Sequence, residues 1–159
     1  MDGGAGEVVR MAGAGDRQRL EPGGHWTWTG GPAWGPIAQG WRVGNLVFVG
    51  GQVALDEAGR VIAPGDIEVQ TREVYRNIER VLNEAGGSLA DIVKITSFLV
   101  HDGEPSGPAF DDMWVRMATV RASFFPGDGP AGTGVIVRAL VYPGLVIEVE
   151  AIAVLREGA

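Results

Sequence analysis

The 159-residue chain contains no cysteine, which excludes disulfides, thiolate nucleophiles and cysteine-based metal sites. Histidine occurs only as His25 and His101, too few for a multi-histidine metal site within one chain. No metal is expected, and nothing in the chain calls for a cofactor. Thirteen Lys and Arg face 20 Asp and Glu, a formal net charge of −7, and the basic residues are not clustered. A surface that holds phosphate backbones needs such clusters, so nucleic acid is not an expected partner. No apolar run approaches the roughly 18 to 20 residues that span a bilayer, and no membrane partner is expected. The opening MDGGAGEVVRMAGAGDRQRL has no apolar core of a secretory signal, which makes cytoplasmic the reading.

Hydrophobic residues make up 45% of the chain and charged residues 21%, a balance that can bury one substantial core. Residues 1–20 are small, polar and aperiodic, so a disordered tail is expected there, followed by one domain over 21–159. The stretch MAGAGDR has the glycines of a phosphate loop but neither a preceding strand nor the lysine. Trp26, Trp28, Trp34 and Trp41 crowd the segment HWTWTGGPAWGPIAQGW. They cover a core end or a subunit contact, or one of them walls a ligand cleft.

The segment NLVFVGGQVALDEAGRVIA predicts a hairpin, with strands Leu46 to Val49 and Gln52 to Leu55 answered by Arg60 to Ala63 across a DEAG turn. Gly50-Gly51 inside a strand pattern predicts a bulge. Asp66 is a good N-cap, and Val74, Ile78, Val81, Leu82 and Ala85 then form one apolar stripe ended by Gly86. Ser88 and Asp91 make a small capping box before a strand over Ile92 to Val100. A second helix is predicted from about Asp111 to Phe125, and two strands close the chain, Gly134 to Val141 and Leu145 to Leu155. His101-Asp102 sits at a loop edge.

The last strand, LVIEVEAIAVL, carries Glu148 and Glu150 two places apart, hence on one face. Either that face is wet or one acid works in a cleft. The order β-β-α-β-α-β-β puts two helices on one face of the sheet. An apolar opposite face of several hundred Å² would be a recognition surface or a liability, so a homo-oligomer with sheets packed face to face is expected.

The pieces GPIAQG, GNLVFVGGQVAL, GDIEVQTREVYRNIERVLNEAGGSLADIVKITSFLV and PAGTGVIVRALVYPGLVIEVEAIAV together resemble the RidA family, also called YjgF or L-PSP, over residues 35 to 155. The resemblance implies a single α+β domain of chorismate-mutase-like fold and a homotrimer with sheets packed inward. It further implies a small-molecule ligand in clefts between subunits, and hydrolysis of imines or enamines to a keto acid and ammonia. Glu148 takes the position of the glutamate that activates water. Elsewhere the family's polar positions have changed: its arginine falls at Gly132, its tyrosine at Ile37, its serine at Gly50 and its asparagine at or near Ala118. Gly51, Gln52 and Thr133 adjoin these positions as further cleft residues.

A carboxylate held in a partly dry cleft needs a charged partner, and glycine offers at best a backbone N–H. The usual clamp is therefore missing, and the chain reads as a divergent member acting on a substrate that does without it. Arg121 on the second helix is one replacement. Arg138 is about 20 Å along the strand from Gly132, too far to substitute. The alternative is a small-molecule-binding or regulatory trimer that has lost the chemistry.

Overall fold

The computed structural model describes residues 17–23, 37–103 and 105–156. Six strands form one sheet: β1 (Arg17–Leu20), β2 (Gly40–Val43), β3 (Leu46–Gln52), β4 (Ile92–Val100), β5 (Ala131–Val137) and β6 (Ile147–Val154). Two helices, α1 (Ile67–Glu84) and α2 (Pro108–Ala122), lie against it. The sheet order is β1-β2-β3-β6-β4-β5, with β4–β5 the parallel pair. This is the expected α+β arrangement of two helices on a mixed sheet.

Three expectations need correction. Arg17–Leu20 is not tail but an edge strand, paired with β2 and anchored by the fully buried Leu20. Residues 53–63 form only a short remnant of the expected hairpin. The chain does turn back there, through the Leu55–Val61 bridge and the bonds Asp56 N–H to Arg60 O and Ile62 N–H to Ala54 O, but it forms no strand, and a longer hairpin lies earlier, between β2 and β3. Asp56 accounts for the turn, its carboxylate accepting from the backbone N–H of Ala58 and Arg60. Finally, α2 begins at Pro108 and β5 at Ala131, each three residues earlier than read. Trp26, Trp28 and Trp34 lie outside the described residues.

Helix α1 starts where its cap predicts, with the Asp66 carboxylate accepting from Glu68 N–H at 3.0 Å and Val69 N–H at 3.1 Å. Its stripe of Val74, Ile78, Val81 and Leu82 is fully buried. The stripe meets Val47, Val49, Ile147, Val149 and Ala153 from the inner face of the sheet. Each of the Val, Ile and Leu side chains contributes about 1.5–3 kcal/mol on burial. Gly86, at φ +82°, ends the helix as expected. The turn over Leu89–Asp91 carries the Ser88–Asp91 capping box and delivers the chain into β4.

Buried Gln70 ties this layer to the loops at one end of the sheet. Its amide donates to the carbonyls of Ile62, Ala63 and Gly144 and accepts from Val146 N–H. Gly50 and Gly51 form the expected bulge: Val49 pairs with Ala151 and Gln52 with Val149, so the two glycines face Glu150 alone.

Candidate functional site

On β4 and β6, buried residues alternate with partly exposed ones, which separates the helix-facing side of the sheet from an outer face. Trp41, Phe48, Ile152 and Lys94 run across that outer face in register on four adjacent strands. Phe48 keeps 44% of its surface exposed, although it is an apolar residue in mid-strand. The outer face is thus as apolar as the sequence suggests.

Glu148 stands on this face beside Phe98 of β4. Its carboxylate lies over the bare backbone of Gly51, in the space that the bulge opens. Burial pushes its pKa above the ordinary 4.5, and the negative charge of Glu150 pushes the same way. Among the described residues no hydrogen bond or ion pair holds this carboxylate. Glu150 is exposed and lines a shallow hollow of about 320 Å³ with Trp41, Phe48, Lys94 and Thr96. Lys94 donates to Thr133 Oγ1 at 2.8 Å and to Ile95 O at 2.7 Å. It carried no signal beyond the alternation of IVKITSFLV.

Gln52 is a strut rather than a cleft residue. It is buried, and its amide donates to Gln39 Oε1 at 3.0 Å and to Gly50 O at 3.1 Å. Gly50 N–H donates to Gln39 O at 2.9 Å, and a Cβ at Gly50 would come within 3.3 Å of the Ala38 and Gln39 carbonyls. A serine there would press on the neighbouring backbone. Ile37 is exposed, its carbonyl accepting from Arg19 Nη2.

The other sequence-picked residues gather on the helix side. Parallel pairing sets Gly132 beside Ile95. Above them Arg121, in the last turn of α2, lines two adjoining hollows of about 360 Å³ and 210 Å³, and Gly132 lines both as well. Thr133 borders the second, although its hydroxyl turns toward Lys94. Ala118 is half-buried on α2 and lines neither. Near Arg121, Tyr75 stacks on Phe124 with centroids 5.2 Å apart. Burial pushes the Tyr75 hydroxyl up to about 12, opposed by the charge of Arg121. His101 sits past the end of β4, edge-on to Phe110, as a loop-edge residue should.

The candidate residues therefore fall into two groups. Glu148, Gly51 and Gly50 meet on the outer face, and Arg121 and Gly132 meet on the helix side. One copy of the chain does not bring the groups together.

A profile of the family described as "Endoribonuclease L-PSP" matches residues 31–155. A RutC family protein of Pyrococcus abyssi is 38% identical over 119 residues, 75% of this chain and 86% of that protein. The crystal structure of a proposed endoribonuclease of Thermotoga maritima superposes with a TM-score of 0.72 at 34% identity, covering 89% of this chain and 98% of that one. The E. coli protein TdcF, crystallised with bound serine, gives 0.71 at 26% identity, covering 87% and 99%.

Proposed function

This chain belongs to the endoribonuclease L-PSP family, the family of YjgF and RidA, and from that premise we propose that it hydrolyses a C=N bond in a cleft between subunits. The observation that carries the reading is Glu148: a half-buried carboxylate of raised pKa, free of partners among the described residues, on an apolar face. In the proposed reaction Glu148 takes a proton from water as the oxygen attacks the imine carbon. The carbinolamine that forms then breaks its C–N bond, with the proton passed to nitrogen, so that imine and water become a carbonyl compound and ammonia. The apolar outer face supports assembly into a homotrimer with sheets packed inward, which would bring the Glu148 group of one copy to the Arg121 group of the next.

Serine bound by TdcF supports a small-molecule ligand. An RNA substrate would meet a chain of formal charge −7. No helix among the described residues is long and apolar enough to cross a membrane. The loss of polar side chains at Ile37, Gly50 and Gly132 favours a second reading, a trimer that binds a ligand without turning it over.

Ammonia release from imines generated in situ from a panel of amino acids separates the two. Turnover that disappears in Glu148→Gln supports hydrolysis. Saturable binding with no turnover above the Gln variant supports the second reading.

A further inference from the structure

Two adjoining hollows share Ile95, Arg121 and Gly132, and Arg121 is the one charged residue lining either. Its guanidinium makes no ion pair or hydrogen bond among the described residues. Among the described residues Arg17, Arg42, Arg72 and Arg138 also lack a carboxylate partner, but Arg17, Arg72 and Arg138 are exposed and Arg42 donates to the carbonyls of Gly44 and Ala85. A half-buried guanidinium that lines concave space without an anion is suited to an anionic occupant, because its donors fit a carboxylate in two parallel hydrogen bonds.

The remaining walls describe the rest of that occupant. Phe125 borders the larger hollow, and Trp114 and Met117 border the smaller. Ser97 is buried, has no hydrogen-bond partner among the described residues, and lines the smaller hollow as an available hydroxyl donor. Gly132 is bare without being forced to be: a Cβ there would meet only Ile95 Cγ1, at 4.0 Å. Gly134 differs, since a Cβ there would stand 3.2 Å from the Trp114 ring. Packing therefore explains the glycine at 134 and not the one at 132, where the missing side chain serves as open volume beneath the guanidinium.

We propose that Arg121 is the anion anchor of this protein, holding the carboxylate of a ligand whose apolar, ring-sized body fills the hollows walled by Trp114 and Phe125 over Gly132. The inference rests on the reading of this region as part of a ligand cleft, and it narrows the substrate class to bulky apolar carboxylates. The cation comes from a helix instead of the strand, so the carboxylate is gripped from above and the strand gives way to the ligand.

The test is calorimetric titration of the full-length protein with 3-phenylpropanoate and with its uncharged counterpart, 3-phenylpropanamide. The acid binds saturably to the wild type and weakens with added salt, while the amide binds poorly. Arg121→Gln weakens the acid by about tenfold or more and leaves the amide unchanged, as expected for loss of a charge-assisted contact. Arg121→Lys, which keeps the charge at the helix end, falls between, and Arg138→Gln binds like wild type. Gly132→Leu, which fills the volume assigned to the ring, weakens the acid although Arg121 is intact. Thermal melts confirm that each variant is folded. Equal affinity in wild type, Arg121→Gln and Arg121→Lys, or no saturable binding of the acid to wild type, overturns the anchor. The function reading fails separately: ammonia release lost in Glu148→Gln but acid binding indifferent to Arg121 defeats the anchor alone, whereas Arg121-dependent binding without turnover on any imine defeats hydrolysis alone.

Discussion

The carboxylate of Glu148 and the backbone of Gly51 are in such close contact that a methyl group on Gly51 would stand 2.0 Å from Glu148 Oε1. No rearrangement smaller than moving the carboxylate relieves that overlap. The glycine is what allows the acid to approach the bulge this closely.

Gly51→Ala therefore displaces Glu148. Under the hydrolytic reading, turnover falls about 100-fold, the scale of a misplacement of about 1 Å at a reacting group. Stability drops by about 1–3 kcal/mol from overpacking. Steady-state kinetics and urea melts check both, and adding Gly51→Ala to Glu148→Gln lowers turnover no further.

Glu148 also sets a pH dependence. Between its ordinary pKa of 4.5 and its raised value, the folded chain keeps a proton that the unfolded chain has released. The stability this group contributes is complete below pH 4.5 and is lost as pH rises through the raised value. Glu148→Gln removes that loss, so in a denaturation series the variant gains on wild type as pH rises from 4.5 through the raised value. Turnover runs the other way, rising with pH along a limb set above 4.5 as the base ionises.

Phe48→Glu places a charge in the middle of the outer face, between Trp41 and Ile152. The proposed trimer dissociates to monomers in analytical ultracentrifugation, and turnover falls to background because the two residue groups no longer meet. A variant that stays trimeric would place the subunit contact elsewhere.

Gln70→Leu leaves the carbonyls of Ile62, Ala63 and Gly144 and the N–H of Val146 without their partner. Destabilisation of about 3 kcal/mol is expected in urea denaturation. Introducing a carboxylate by Gln70→Glu restores only the acceptor for Val146 N–H and not the amide's donors to the three carbonyls.

The elements legible in the sequence were those with a strong local cause. The Asp66 cap and its apolar stripe fixed α1, the Ser88–Asp91 box fixed the entry to β4, and the paired glycines marked the bulge. β1 was invisible because RQRL has no strand alternation; pairing with β2 and the burial of Leu20 hold it. The segment after Gln52 misled because Val53 and Leu55 look like strand residues, yet they bury themselves in a small cluster with Leu145. In the site, Glu148 stood out as an acid in an apolar strand. The meeting of Arg121 with Gly132 had no local signature, since the parallel pairing of β4 and β5 is what carries Gly132 beneath α2.

Among the described residues, the unpaired carboxylate of Glu148 and the unpaired guanidinium of Arg121 lie on opposite sides of the sheet, so under the proposed assembly every working pocket is shared property. Chains crippled at position 148 and chains crippled at position 121, each inert alone, would regenerate whole pockets wherever a sound side of one meets a sound side of the other. Mixed in a single cell, two such defective alleles would rescue each other.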